Sequence, residues 1–226
     1  MRRRRPIGGV LVLQMTAKKF IATAANGEDM TAELNHFANV IGLKTAAPGR
    51  YSMLLVLALF GGFKSGCLNP AMVIEEIRAL EGIGKPSRLK PPIQNKHPPL
   101  KGLWHKHYME TGRRAVAMNV QKGIGKYGIP LFEQRIREAQ SAGEERYVAI
   151  EDIKALADDV VQGNLSRLAG AAELTGEWLV YARHEGANYY LCLGKHNPSE
   201  HDHIREQIDA VCCKEFPFLT TLLADA

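Results

Sequence analysis

The sequence predicts an α+β protein: a helical N-terminal portion, then helices packed on a small antiparallel sheet with a β-hairpin at its centre. First, apolar residues recur at helical spacing through much of the chain, with helix caps before several of these runs. Second, in residues 176–203 two arms rich in β-branched, aromatic and leucine residues flank a turn. Third, 46% hydrophobic and 23% charged residues in a chain of 226 are typical of a folded globular protein.

The predicted hairpin is the clearest element. Its arms are residues 177–183 and 188–193, and the turn between them contains Gly186, which tolerates a positive φ. Apolar and aromatic side chains occupy both odd and even positions of the arms, so we expect both faces of the hairpin to be covered. The second arm leads into Lys195 and His196, where polar groups can be presented to a ligand.

Residues 15–83 are predicted to form a helical N-terminal subdomain. Apolar spacing predicts a helix over residues 31–41. Residues 51–63 form the most apolar run, but it is shorter than the roughly 20 residues of a membrane-spanning helix, so we expect a buried core helix. Asn69 and Pro70 then supply an N-cap and a favourable first residue for a third helix.

Residues 84–114 are predicted to be a basic, proline-rich connecting segment, and residues 115–226 an α+β C-terminal domain. The segment holds five of the 11 prolines, which argues against regular structure in its first half. The glycine-rich residues 122–128 are interpreted as a turn. Further helices are expected from Pro130, over about residues 150–174, and from Pro198 to about residue 215.

The net charge of +5 is unevenly distributed. Residues 1–14 contain four arginines and no acidic residue, and residues 84–114 contain eight lysines or arginines against Glu110 alone. We interpret residues 1–14 as a disordered basic tail, with Met15 as an alternative start of the natural chain. A secretion signal is disfavoured, because the apolar run after the arginines is short and no clear cleavage site follows it.

The four cysteines form no CxxC pair, and we interpret them as reduced thiols. Disulfides are rare in reducing compartments, so this pattern favours a cytoplasmic protein. Because no stretch approaches the length of a membrane-spanning helix, no membrane partner is predicted.

The strongest partner signal is the second half of the basic segment. Its lysines supply positive charge for phosphates, and the aromatic and imidazole rings among them supply faces on which bases can stack. We therefore predict RNA as the partner, bound by Lys96, Lys101, Trp104, His105, Lys106, His107 and Tyr108. The alternative is a solvated linker that Leu103 and Trp104 attach to the core.

Histidines recur as His105-x-His107 and as His196-x4-His201-x-His203. Two histidines two positions apart on a helix point in divergent directions, and no HExxH motif or CxxC pair accompanies them. We therefore predict neither a metal site nor a cofactor. A zinc-dependent hydrolase is the least favoured of the functions considered.

The hairpin also carries the groups that metal-independent RNA cleavage needs. Attack by the 2′-hydroxyl requires a general base, a general acid and a cation that stabilises the charge on phosphorus. Side chains of equal parity on neighbouring strands share a face. The candidate catalytic residues are Tyr181, Arg183, Lys195 and His196. The alternative assigns the tyrosines to the core and the charged groups to its rim.

A helix followed by residues 175–181 (TGEWLVY), a turn and residues 189–196 (YYLCLGKH) resembles the β-core of a ribonuclease superfamily. That superfamily groups barnase, colicin-type tRNases and the RelE-like toxins, and the resemblance covers at most residues 90–219. It implies metal-independent RNA cleavage by the four candidate catalytic residues, with the basic segment holding the RNA. It also implies an antitoxin or immunity protein as a further partner.

The function predicted from the sequence is thus RNA binding by a bacterial-type protein. If the protein is an enzyme, the predicted activity is that of a toxin-like endoribonuclease. The alternative is a non-catalytic accessory module, of the kind found in phages and mobile elements, that binds nucleic acid or protein. The catalytic prediction requires that the basic segment fold over the open rim of the sheet, next to His196.

Overall fold

The computed structural model describes residues 22–23, 26–109, 113–143, 145 and 150–224. The predicted tail, residues 1–14, and the alternative start at Met15 lie outside the described residues. The strands are β1 (Ile93–Gln94), β2 (Trp104–Tyr108), β3 (Glu177–His184) and β4 (Ala187–Gly194). The helices are α1 (Thr31–Val40), α2 (Leu43–Ala46), α3 (Met53–Lys64), α4 (Pro70–Leu80), α5 (Arg113–Tyr127), α6 (Pro130–Ala142), α7 (Ile150–Asp158), α8 (Asn164–Gly170), α9 (His201–Gln207), α10 (Cys213–Glu215) and α11 (Phe218–Leu222).

One antiparallel sheet of four strands, in the order β1-β2-β3-β4, organises the described part of the chain. The predicted hairpin is confirmed as β3 and β4. Its turn contains Glu185 and Gly186 with φ of 49° and 78°, and such paired positive φ angles suit the twist of a tight hairpin. β3 lies inside the sheet, and backbone hydrogen bonds from residues 50–52 cover the outer edge of β4 at Tyr190. The α+β fold class is as predicted.

Helices cover both faces of the sheet. α1–α4 pack on one face, against Tyr181 and Tyr190, and α9–α11 pack on the other face, against Val180 and Cys192. Between Val180 and Tyr181 the strand pairing skips one residue of β4, which makes Leu191 the extra residue of a β-bulge. The bulge turns Tyr190 toward the N-terminal helices and the next two residues toward the C-terminal ones.

The segment predicted as a connector, residues 84–114, supplies β1 and β2 of this sheet. β2 pairs with β3 along its whole length, from Trp104 opposite Tyr181 to Tyr108 opposite Glu177. The prolines argued against regular structure only in the first half of the segment, where β1 is two residues long. β2 lies in the second half and was not predicted, because three of its five side chains are imidazoles or an ammonium, groups that are seldom fully buried. The N-terminal helices and the C-terminal residues therefore meet on one shared sheet.

Helix α5 was not expected from the sequence. Residues 122–128, interpreted as a turn, continue α5 to Tyr127, and Gly128 follows with a φ of 64°. Gly123 permits close packing of α5 on α8, because a Cβ atom at Gly123 would lie 2.6 Å from the Cβ of Asn164. The helix expected over residues 150–174 extends to Gly170, with a π-helical turn between α7 and α8.

None of the helices in the described residues combines the length and apolar character needed to cross a bilayer. α3, the most apolar of them, begins at the N-cap Ser52, whose hydroxyl accepts the Leu55 N–H at 3.0 Å. The buried residues of α3 include Leu55, Val56 and Leu59. This is the buried core helix that the sequence predicts.

Candidate nucleic-acid interface

Six of the eleven predicted site residues lie at two opposite ends of the sheet, and the other five are buried. The loop end, where β1 joins β2 and β3 turns into β4, holds Lys96, Lys101, Trp104 and Arg183. The exit end, where β4 leaves the sheet, holds Lys195 and His196. Arg183 pairs with Asn188 beside the hairpin turn, whereas Gly194 pairs with Trp178, five residues away along β3. At about 3.3 Å per residue the two ends are roughly 16 Å apart, so the four candidate catalytic residues do not form one site.

The loop between β1 and β2 is held in shape by its backbone. The Asn95 N–H donates to the Leu103 carbonyl at 2.8 Å, and the Gly102 N–H donates back to the Asn95 carbonyl at 3.0 Å. Gly102 has a φ of 88°, and Leu100, 2% exposed, anchors the loop in the core. This frame presents Lys96 and Lys101 at the surface.

Arg183 and Trp104 stack on each other at the loop end. The guanidinium carbon of Arg183 lies 3.9 Å from the Trp104 ring centre, and Arg183 Nη2 donates to the Tyr181 hydroxyl at 3.3 Å. Arg183 is exposed and Trp104 is half-buried. The loop end therefore combines three cations with an aromatic face, a combination that binds both phosphates and bases.

Lys106 lies in the core and is unable to contact a phosphate in this structure. Its side chain is 3% exposed, and its ammonium lies 3.2 Å from the Glu76 carboxylate. Lys106 Nζ also donates to Ser87 Oγ at 2.8 Å and to the carbonyls of Leu89 and Lys90 at 3.2 and 2.6 Å. Burial lowers the pKa of Lys106, and the Glu76 carboxylate opposes that shift.

Tyr181 and Tyr108 are also core residues. Tyr181 is fully buried, and burial raises the pKa of its phenol above the usual 10. Its ring packs 5.8 Å from that of Tyr190, under the N-terminal helices. Tyr108, 4% exposed, belongs to the same core. These placements argue against a catalytic role for Tyr181 and against RNA contact by Tyr108, and they agree with the alternative that assigned the hairpin tyrosines to the core.

Four histidines pack near Trp178 toward the exit end, and we call His105, His107, His196 and His201 the histidine cluster. The His105 ring stacks on Trp178 at a centroid distance of 4.0 Å, and the His107 ring stacks on His196 at 4.9 Å. Strand pairing thus brings His107 of the basic segment next to His196. Lys96 and Lys101 lie at the opposite end of the sheet, so the cationic loop and His196 do not share the pocket that the catalytic prediction requires.

The protonation of this cluster follows from its hydrogen bonds and burial. The Gly176 carbonyl accepts an N–H from His107 Nδ1 at 2.9 Å and another from His196 Nε2 at 2.7 Å. Burial lowers the pKa of His105 and His107 to about 4, and neighbouring imidazoles contribute to the decrease. Both rings are neutral at pH 7, so they add no positive charge for RNA.

A cleft of about 180 Å³ opens beside Lys195 at the exit end. Its polar lining includes Lys195, Glu200 and His203, and the Lys195 ammonium lies 3.5 Å from the Glu200 carboxylate. Glu200 was not among the predicted site residues, and His203 was considered only as a metal ligand. Their i, i+3 spacing at the start of a helix is the sequence signal for a shared face. A cation, a carboxylate and an imidazole in one cleft can support acid–base chemistry on a phosphodiester.

In the part of the chain that the structure describes, no group of three or more His, Cys, Asp or Glu side chains is placed to hold a metal ion. Comparison with known proteins gave no match: no protein-family model, curated protein or solved structure is significantly similar to this chain.

Proposed function

We propose that this protein binds RNA at the loop end of its sheet. The stack between Arg183 and Trp104 carries the proposal, because a guanidinium 3.9 Å from an indole centre joins a cation to an aromatic face at the surface. Single-stranded RNA is bound by the same combination: its phosphates need positive charge, and its unstacked bases need a flat ring or a guanidinium plane.

Lys96 and Lys101 support the proposal because they add positive charge on the loop that leads into Trp104. Both side chains are exposed. Within the described residues no salt bridge engages Lys96 or Arg183, so both charges are available to phosphates.

The four cysteines are free thiols, which supports a location in a reducing compartment such as the cytoplasm.

Fluorescence anisotropy with a labelled single-stranded RNA, measured at several salt concentrations, tests the binding proposal. The double variant Lys96→Ala, Arg183→Ala is expected to weaken binding at least tenfold and to reduce the salt slope by roughly 1.4, or about 0.7 for each phosphate that the protein no longer neutralises. Lys154→Ala, an exposed lysine on α7, is the matched control. The proposal fails if the double variant binds RNA as tightly as this control.

RNA cleavage is a second candidate function, supported by the cleft at the exit end. A carboxylate such as Glu200 can take the 2′-hydroxyl proton, the 2′ oxygen then bonds to phosphorus, and the bond to the 5′ oxygen breaks as His203 protonates that oxygen. Lys195, 3.5 Å from Glu200, would stabilise the phosphorane charge. Binding without cleavage would instead fit the accessory-module alternative.

Digestion of RNA in EDTA separates these two functions. If cleavage occurs, Glu200→Gln and His203→Ala should each abolish most of it while leaving RNA affinity unchanged, since neither residue lies at the loop end. RNA that stays intact with the unmodified protein, under conditions where it is bound, eliminates the cleavage candidate and leaves the binding proposal in place.

A further inference from the structure

Two adjoining cavities lie outside the RNA-binding loop end. They measure about 490 and 480 Å³, open to solvent, and are lined by residues of α4, the segment 84–89 and α8. Arg88, Met109 and Leu174 line both, so the two cavities form one groove of two compartments. Each compartment falls within the range of ligand pockets, about 300 to 1,000 Å³.

The first compartment is the more polar of the two and carries a net positive charge. Exposed Arg78, Lys85 and Arg88 line it, together with the carboxylate of Glu75 and the hydroxyl of Ser87. A second carboxylate in its wall, Glu76, is neutralised by the buried Lys106. An anionic ligand with hydroxyl or amino donors matches this lining, because the cations attract the anion and the free carboxylate needs a donor.

The second compartment is mainly apolar. Leu165, Ala169 and Gly170 of α8 form one wall, and Met109 and Leu174 separate this compartment from the first. The polar groups described here are Ser166 and, at the junction of the two compartments, Arg88. Such a lining suits a flat ring or another apolar group rather than a second charge.

We propose that this groove binds a nucleoside phosphate. The phosphate lies in the polar compartment beside Arg88, the sugar follows at the junction with its hydroxyls directed to Glu75, and the base packs between Leu165 and Leu174 in the apolar compartment. A fatty acid would satisfy the cations and the apolar wall but would make no hydrogen bond to Glu75, and inorganic phosphate would leave the apolar compartment empty. The ligand is either a free nucleotide or one nucleotide of a bound RNA strand.

The polar wall of the groove is preorganised. Lys106 donates to Ser87 Oγ and to the carbonyls of Leu89 and Lys90, and so holds the backbone that carries Arg88 against β2. Its ion pair with Glu76 fixes the same segment to α4. A wall held at both sides loses little conformational freedom when a ligand binds.

Isothermal titration of the full chain with AMP, UMP, adenosine, inorganic phosphate and decanoate tests the proposal. A nucleoside monophosphate is expected to bind with a Kd below about 1 mM, at least tenfold tighter than adenosine, phosphate or decanoate. Arg88→Ala should weaken AMP or UMP binding at least tenfold, and Arg88→Lys should retain part of it. Lys154→Ala, an exposed lysine on α7 that lines neither compartment, is the matched control and should bind the nucleotide normally.

The outcomes separate this groove from the loop end. If AMP displaces the labelled RNA, the groove takes a nucleotide of the RNA strand, and if both bind together, it takes a free nucleotide. No heat of binding up to about 5 mM nucleotide, tighter binding of decanoate than of AMP, or an Arg88→Ala protein that binds AMP normally overturns the inference. Each of these results is independent of whether Lys96 and Arg183 bind RNA.

Discussion

Replacing Lys106 with alanine tests whether this residue belongs to the core or to an RNA-binding surface. The change removes the ion pair to Glu76, at 3.2 Å, and leaves that carboxylate, in a residue 6% exposed, without its cation. Breaking a buried ion pair by deleting one partner costs about 3 to 5 kcal/mol in the free energy of unfolding. For a chain of this size about 2 to 4 °C of Tm is lost per kcal/mol, so Tm should fall by roughly 6 to 20 °C.

Two matched variants show whether the unpaired charge is the cause. Lys106→Met combined with Glu76→Leu removes both charges, and it should lose clearly less stability than Lys106→Ala, because apolar groups of similar size often replace a buried pair at little cost. Lys154→Ala on α7 removes an exposed lysine and should change the free energy of unfolding by at most about 0.5 kcal/mol.

Urea denaturation followed by tryptophan fluorescence measures the free energy of unfolding, and anisotropy at a temperature well below Tm measures RNA affinity. We expect Lys106→Ala to shift the urea midpoint strongly and to bind RNA as the unmodified protein does. An unchanged midpoint together with weakened RNA binding would refute the assignment of Lys106 to the core.

Three further predictions concern stability. Acidification should destabilise the protein through His105 and His107, because folding lowers the pKa of both to about 4. Both are neutral in either state well above pH 6.5, and the unfolded chain gains protons first as the pH falls through 6.5. The free energy of unfolding should drop by about 2 to 5 kcal/mol between pH 6.5 and 4, and urea titrations should show a smaller drop for His107→Gln. Trp178→Ala should lower the free energy of unfolding by about 3 to 5 kcal/mol, since this side chain is 8% exposed and stacks on His105. An unchanged Tm would contradict the burial of Trp178. Gly123→Ala should lower the free energy of unfolding by about 1 to 3 kcal/mol in a urea titration, because the new Cβ would lie 2.6 Å from the Cβ of Asn164. An unchanged free energy of unfolding would show that α5 and α8 can separate freely.

Local signals in the sequence were sufficient for the hairpin and most helices. The Asn69 side chain accepts the Ala71 N–H at 3.1 Å and begins α4 where the Asn-Pro pair predicted it. The Asn197 cap precedes a 3-10 turn that leads into α9, again as predicted. Such signals act over a few residues, so the sequence alone reveals them.

β2 depends on partners far away in the chain and was therefore missed. Lys106 is buried because Glu76 on α4 and the carbonyls of Leu89 and Lys90 surround its ammonium. Nothing in the residues next to Lys106 shows that these groups converge on it. The pattern of β2, read locally, is that of an exposed basic strand or loop.

The separation of the candidate catalytic residues was, in contrast, accessible from the sequence. A chain that enters β3 at Glu177 and turns at Glu185 must return to the level of Glu177 when it reaches Lys195. Counting residues along the hairpin therefore places Arg183 and Lys195 at opposite ends of it. An odd or even position in a strand shows only which face of the sheet a side chain occupies. Strand register, and not strand identity, decides which residues share a site.

The margins of the sheet have a consequence for how copies of this protein can meet. One margin ends at β1, which is two residues long, and at the other the backbone of residues 50–52 occupies the hydrogen-bonding groups of Tyr190. Long exposed strand edges recruit further strands and lead to fibrous assemblies, and short or covered edges oppose this. Growth of the sheet from molecule to molecule through these two margins is therefore disfavoured.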